Sequence, residues 1–386
     1  MSIVEKLFSN IRESRQKALK GEVNCIPSPF SRFKIDFPGI ERQCYYLLTS
    51  QTKGSKSQFT MFFFVYNTIE YALRHPESMQ LHIIIFPLEE TPERIMLRYL
   101  SFLISERSNG TVRISPKELR SVGSVLDESI LIYLNDEWIL QRLKYFEEHV
   151  QFSLEVNPTG IMKVCREYAE QHGTTKYETV TSKDELGMET TKRIPVSYES
   201  SNPNEYRIVI VDTVNLVMPE AKLSLKQSID TLSTYFIRDI RNRYGFTIVA
   251  IQQQSSESEN NMARKDGMTK PSIANLGDSK YTSHDADITF GLYAPARYGV
   301  QRWLGYNIER FGDNIRFLEV LTNRDGPTGG TCPLLFDGAT CSFWELPLPD
   351  EKQRIEELLR IVYHWRGEEY DDSPSLFDDD DENLID

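Results

Sequence analysis

The chain has 386 residues, of which 40% are hydrophobic and 26% charged, and a formal net charge of −13. These are the proportions of an ordinary globular protein with enough chain for a sizeable core. No run approaches the roughly 18 uninterrupted apolar residues of a membrane span, and the first residues mix Glu5, Arg12 and Glu13 with apolar ones, unlike a signal peptide. A cytoplasmic protein without a membrane partner is expected.

Cys25, Cys44, Cys165, Cys332 and Cys341 are scattered, as are His75, His82, His149, His172, His284 and His364. None has the paired spacing of a zinc site or a redox motif, so reduced thiols and no transition metal are expected. The negative charge is uneven: residues 367–386 hold ten acidic and no basic side chains, which leaves −3 for the rest. A near-neutral body can still offer nucleic acid a basic groove. The acidic block itself is expected to stay disordered, as an idle solvated tail, a docking element for a basic partner, or an occupant of a DNA channel.

Residues 2–20 read as an amphipathic helix, with Ser2 and Glu5 spaced as a capping box, Ile3, Leu7, Phe8 and Ile11 on one face, and Gly21 as the stop. That stripe must be buried, on its own domain or on a neighbouring subunit. From Gln43 a strand (QCYYLLT, 43–49), a polar turn, a helix from about Lys56 to Ala72 and a strand (LHIIIFPL, 81–88) make a βαβ unit. Helices follow at roughly 91–105 and 135–149, then a strand-helix pair over 150–172. Residues 173–205 are polar, with two β-like runs around Asp184, Glu185 and Gly187, the pattern of an inserted hairpin or arm.

The run RIVIVD (207–212) is apolar until its final acid, which places it at the centre of a sheet. A helix from about Leu225 to Arg243 carries Leu225, Ile229, Leu232, Phe236 and Ile240 on one face, and the strand FTIVAI (246–251) follows. Residues 252–283 show no clear element, a length that marks a functional or disordered loop. Beyond them the chain is β-rich, with DADITFGLY, RFLEVLT, TCPLLF and CSFWEL. The expected organisation is a helix over 1–21, one α/β domain over 22–347, a terminal helix over 348–366 and the tail 367–386. The α/β domain should hold a mostly parallel central sheet covered by helices, with a β-rich carboxy-terminal part.

The turn after the first strand, Ser50-Gln51-Thr52-Lys53-Gly54-Ser55-Lys56-Ser57, approximates the phosphate loop G-x-x-x-x-G-K-[ST] with serine at both glycine positions. Such a loop works because backbone N–H groups and a helix N-terminus point at phosphates, the lysine adds charge and the hydroxyl reaches Mg²⁺. Serine before the lysine does not adopt unusual backbone angles as freely as glycine, though Gly54 is one position away. The competing reading is a solvated polar turn. Glu89 follows the second strand, at the edge where open α/β sheets bind ligands, and is either a water-activating carboxylate or a helix-capping acid before Thr91-Pro92. Asp212 closes an apolar strand as a Mg²⁺-orienting acid does, and Gln253 follows the next strand as a γ-phosphate sensor or a solvent-facing glutamine. Four such residues in order, each at a strand end, argue for an ATP site.

These motifs resemble the DnaB-like helicases, a family of RecA-like P-loop ATPases, over about Gly21 to Leu346. The resemblance rests on FPLEE (86–90), VIVD, VAIQQQ, KPSIANLGDSKYTSHDAD (270–287) and the run Thr322-Asn323-Arg324-Asp325-Gly326-Pro327-Thr328-Gly329. It implies a RecA-like core in which Ser50, Thr52, Lys53, Gly54, Ser55 and Lys56 hold ATP and Ser57 and Asp212 hold its Mg²⁺. Glu89 and Gln253 become catalytic, with Arg324 an arginine finger reaching the next subunit's site. The sequence departs from the family pattern at Ser55, at Thr322, which replaces a basic residue, and in lacking the amino-terminal primase-interacting domain. The last departure would suit a bacteriophage protein and leaves residues 2–20 as the linker-like helix.

The implied activity is that of an ATP-dependent replicative DNA helicase, a hexameric ring translocating on single-stranded DNA with a primase, loader or other replisome partner. Lys222, Lys226, Arg264, Lys265 and Lys270 lie in loops after sheet strands and are candidate DNA contacts; their alternative is ordinary surface charge. Two other functions compete: a RecA-like ATPase that binds single strands for recombination or loading without unwinding, and a ring scaffold that binds nucleotide without hydrolysing it.

Overall fold

Strands that are apolar along their length and polar at their last residue organise this chain. The computed structural model describes residues 2–20, 24–183, 189–202, 204–255 and 269–370. In chain order its main strands are β1 (Tyr45–Ser50), β2 (Gln80–Pro87), β3 (Val150–Phe152), β4 (Gly173–Lys183), β5 (Glu189–Ser200), β6 (Glu205–Asp212), β7 (Thr247–Gln253), β8 (Ile288–Tyr293), β9 (Ile315–Asn323), β10 (Thr331–Asp337) and β11 (Ser342–Glu345). All but β4 and β5 join one nine-stranded sheet in the order β11-β10-β9-β8-β1-β7-β6-β2-β3. Neighbours from β8 to β3 run parallel. Those from β8 to β11 run antiparallel. The sheet is therefore mostly parallel with a β-rich carboxy-terminal flank.

The α-helices of five or more residues among those described are α1 (Ile3–Leu19), α2 (Lys56–Thr60), α3 (Asn67–Arg74), α4 (Pro92–Arg107), α5 (Glu137–His149), α6 (Pro158–Gln171), α7 (Leu225–Tyr235), α8 (Tyr281–Asp285) and α9 (Lys352–Arg366). A π-helical segment, Met61–Tyr66, makes α2 and α3 one continuous rod, and a second, Phe236–Arg241, extends α7. Alternate side chains of the parallel strands feed two cores, as crossover helices on both faces require. Tyr46, Leu48, Ile83, Ile85, Ile208 and Ile210 pack beneath the α2–α3 rod, α4 and α5. Tyr45, Leu47, Ile84, Phe86, Val209 and Val211 pack beneath α6 and α7. A third cluster seats Leu359 and Val362 of α9 on Ile315, Phe317 and Leu335.

Ser2 and Glu5 form the expected capping box on α1, with Glu5 N–H donating to Ser2 Oγ at 3.2 Å. Leu7, Phe8 and Ile11 on that helix are 53%, 54% and 56% exposed, so the stripe is not buried on its own domain. The expected arm is an antiparallel hairpin, β4 with β5. Buried Arg207 ties its base to the sheet by donating to Tyr198 Oη and Ser200 Oγ, both at 2.6 Å. Asp184, Glu185 and Gly187 lie outside the described residues, as do Gly21 and the acidic tail from 371 onward.

The stretch 252–283 is not without elements. Its described part holds a short 3-10 turn, Ile273–Asn275, and α8. Side chains hold these pieces: Gln252 Nε2 donates to Ser279 O at 2.7 Å and Gln254 Oε1 accepts from Ser272 N–H at 3.2 Å. Among the described residues no helix is long and apolar enough to cross a membrane.

Candidate functional site

The parallel register brings the ends of four strands to one edge of the sheet. Ser50 of β1 lies beside Gln253 of β7, and Pro87 of β2 beside Asp212 of β6. The N–H groups of Leu88 and Glu89 both donate to the Asp212 carbonyl, at 2.8 and 3.2 Å, which fixes the turn after β2 to the end of β6. Glu90 is committed to a two-pronged ion pair with Arg98, while Glu89 is exposed at the edge. The three glutamines differ likewise. Gln252 holds the 277–282 segment, Gln254 Nε2 donates to Thr49 Oγ1 at 2.8 Å, and Gln253 stands half-buried at the strand end. Asn215, which the sequence did not single out, accepts the Gln253 N–H at 2.8 Å and donates to Asp278 at 2.6 Å.

The turn after β1 is a wound loop entering α2. Lys53 and Ser55 have left-handed backbones, with φ of 57° and 70°. At Gly54 a Cβ would stand 1.8 Å from Ser50 Oγ and 3.1 Å from the Gln51 carbonyl oxygen, so any larger residue would have to displace the Ser50 side chain. Lys56 is only 6% exposed, and its Nζ donates to the Ser50 and Gln51 carbonyls at 3.3 and 2.9 Å. Two arginines from the carboxy-terminal flank clasp the loop: Arg297 donates to Lys53 O at 3.2 Å and Arg316 to Ser55 Oγ at 3.1 Å. Neither belongs to a recognisable motif. Arg316 does stand out as a charge in the apolar run IRFLEV.

Two oxygens at this edge are buried without a hydrogen-bond partner, Ser50 Oγ and Asp212 Oδ1. Burial pushes the Asp212 carboxyl up to about 7; the Ser57 hydroxyl and Lys56 pull against this, and repulsion from Glu89 and Glu90 adds to it. A carboxyl so placed either keeps its proton or would be satisfied by a cation. These orphaned oxygens, the loop's backbone and Lys56 fit a phosphate chain with its Mg²⁺, an ion that takes one or two protein groups beside phosphate oxygens.

Arg324 lies elsewhere. It is half-exposed, donates its N–H to Asp287 O at 2.9 Å, and rests Nη1 3.1 Å from Asp287 Oδ1. Asp287 in turn accepts from Tyr45 N–H, at the start of β1. Arg324 therefore sits at the edge opposite the phosphate loop, a strand length of roughly 17 Å away at about 3.3 Å per residue. Of the candidate DNA contacts, Lys222 is exposed on the loop after β6, whereas Lys226, expected in that loop, is exposed in the first turn of α7, which Ser224 caps. Lys270 pairs with Glu319 at 2.6 Å, and Arg264 and Lys265 lie outside the described residues.

Compared with known proteins, the chain matches no family model and no curated relative. Solved structures do match. A helicase ATPase domain is 17% identical with a TM-score of 0.62, covering 90% of this chain and 99% of that domain. A DnaB-like replicative helicase, described with its interactions with primase, is 18% identical with a TM-score of 0.61, covering 90% of this chain and 67% of its own. The fold is that of a DnaB-like helicase ATPase domain. At this level of identity the likeness concerns the fold, a RecA-like sheet with its carboxy-terminal strands, and the residues at the sheet edge have to be argued from their own chemistry.

Proposed function

We propose that the chain is an ATP-driven helicase motor that translocates on single-stranded DNA as a ring, hexameric in keeping with the resemblance. The observation that carries this is the separation of Arg324 from the phosphate loop of its own chain. A triphosphate at the Ser50–Ser57 loop meets Lys56, Ser57, Asp212, Glu89 and Gln253 at one sheet edge, while the arginine suited to complete the site lies across the sheet. Head-to-tail packing of identical subunits supplies it from a neighbour, and such a contact closes into a ring.

Within a site, the loop N–H groups and Lys56 bind the phosphates, assisted by Ser50, Thr52, Lys53, Gly54 and Ser55. Ser57 and Asp212 hold Mg²⁺, which when bound neutralises charge on the phosphate oxygens. Glu89, exposed and unpaired with Arg98, orients and deprotonates the attacking water. Gln253 offers a side-chain amide at the γ-phosphate position, and Asn215 links its backbone to Asp278, so a change at Gln253 is passed to the 269–285 segment. The neighbour's Arg324 presents a planar fork to the charge that develops in phosphoryl transfer. Lys222 on its exposed loop and Lys226 in the first turn of α7, together with Arg264 and Lys265, contact the DNA backbone. Lys270, already paired with Glu319, contributes less. The solved helicase described with primase supports a replisome partner of that kind for this chain.

The test is steady-state ATP hydrolysis with and without single-stranded DNA, on samples of known oligomeric state, followed by unwinding of a forked duplex. Stimulation by DNA together with unwinding supports the reading. Hydrolysis without unwinding moves the chain to a strand-binding ATPase, and nucleotide binding without turnover to a scaffold.

A further inference from the structure

Arg316 is 1% exposed, its guanidinium lies 4.6 Å over the Phe336 ring, and it is the largest fully buried side chain among the described residues. Its Nη1 donates to the carbonyls of Asp313 and Ile315 at 2.8 and 2.9 Å, and its Nη2 reaches Asp313 Oδ1 at 3.0 Å and Ser55 Oγ at 3.1 Å. Its acidic partner Asp313 is 67% exposed, so the pair does little to repay the burial of the charge. Burying a guanidinium for fold stability alone is poor chemistry when an aliphatic side chain fits over a phenyl ring. Beyond its own strand and the turn before it, the hydrogen bonding of this guanidinium reaches residue 55 of the phosphate loop.

Residue 55 is where a phosphate loop ordinarily carries glycine, and here it is a serine with φ 70° and ψ 24°. A side chain in that conformation is strained, and the strain persists only where the surroundings over-determine it. We propose that Arg316 is a positioning residue for the phosphate loop: it grips the Ser55 hydroxyl and so holds residue 55 in the left-handed backbone that glycine takes unaided. The adjoining N–H groups and the start of α2 are thereby aimed at the phosphates. Arg297 performs the same service at the loop's other left-handed residue, Lys53, through the backbone carbonyl. Serine at position 55 and arginine at position 316 act as one unit in place of the missing glycine.

The inference rests on the nucleotide reading of the loop, and its test is a double-mutant cycle on nucleotide affinity. ATP and ADP binding to the full chain are measured by calorimetry for wild type, Ser55→Ala, Arg316→Met, Ser55→Gly and the Arg316→Met/Ser55→Gly double variant, with thermal midpoints alongside. Losing one charge-assisted hydrogen bond is expected to weaken ATP binding about tenfold in Arg316→Met when residue 55 is serine. The same substitution should cost under about threefold when residue 55 is glycine. Ser55→Ala, which leaves the buried arginine in place, should reproduce the tenfold loss, and keeps the test valid should Arg316→Met fold poorly. A purely structural arginine would weaken binding equally with serine or glycine at 55, and that result overturns the proposal, as does wild-type affinity in Ser55→Ala. Absence of nucleotide binding by the wild type would sink the nucleotide reading itself, a different outcome from binding without coupling.

Discussion

Asp212→Asn is the perturbation whose size the structure sets most directly. Burial, with repulsion from Glu89 and Glu90 added, lifts this carboxyl from 3.8 to about 7 in the absence of a cation. At about 1.4 kcal/mol per tenfold change in proton affinity, the displacement amounts to roughly 4 kcal/mol. In the unfolded chain the group loses its proton near 3.8, whereas the folded chain keeps it to about 7. Across that window the folded state binds more protons, so stability falls as pH rises, and above about 7 the loss is complete. Asparagine is neutral and of the same shape, so the variant escapes the loss. Urea unfolding of both chains without nucleotide, from about pH 5 to pH 8, should show the variant gaining on wild type by ~3 kcal/mol between pH 5 and about 7, the part of the window above pH 5, and then levelling off. Other titrating groups cancel in the difference. Adding Mg²⁺ and ATP should reverse the order, because the wild-type carboxylate then meets a cation and the variant has none to offer. Stability curves that stay parallel across the whole range would refute the account of Asp212 as a carboxylate lacking its ion.

Glu89→Gln should retain ATP affinity and lower hydrolysis by about 10²-fold or more, read as the ratio of single-turnover rate to equilibrium binding. Arg324→Ala should lower hydrolysis by on the order of 10³-fold, and mixing it with Lys56→Ala subunits should restore part of the rate, because the second subunit still lends its finger to the first. Restoration would be absent were Arg324 acting within its own chain. Lys222→Ala with Lys226→Ala should weaken single-strand binding and reduce the slope of log affinity against log salt by about 0.7 per lost phosphate contact, while Lys270→Ala should change that slope less.

The parallel core and the edge at which the candidate residues gather were legible because both are written locally. An apolar run that ends in a polar residue marks a buried strand and its exposed tip, which is how Ser50, Asp212 and Gln253 were found and where they lie. The capping box of α1 is equally local, Ser2 and Glu5 standing three residues apart, whereas at α4 the cap is Thr91 and not Glu89. What stayed hidden depends on partners distant in sequence. Nothing near Lys270 announces that Glu319 will neutralise it. Nothing near Ser55 announces Arg316, which reaches it from the carboxy-terminal flank. The short elements within 269–285 are held by the Gln252 and Gln254 side chains with Leu276 and Ile273 as isolated apolar contacts, too few to give a periodicity to detect. The amphipathic face of α1 was readable, but a lone sequence does not say which surface will cover it.

The resting place of Arg324 bears on how consecutive sites in a ring would communicate. Its partner Asp287 also accepts the Tyr45 N–H and pairs with Arg241, so Arg324 is anchored at the first residue of β1. The same six-residue strand ends at Ser50, on the phosphate loop. On the proposed reading, one short, fully buried strand thus joins the loop that would hold this chain's own phosphates to the arginine it would offer the next chain. An ion pair whose arginine is half-exposed contributes only ~0–1 kcal/mol, so Arg324 can leave Asp287 for a phosphate at little cost, while Asp287 keeps its bonds to Tyr45 and Arg241. The anchor stays rigid and only the guanidinium moves. In that arrangement a displacement of β1 by events at one site shifts the base of the finger serving the next, which is the coupling a sequentially firing ring requires.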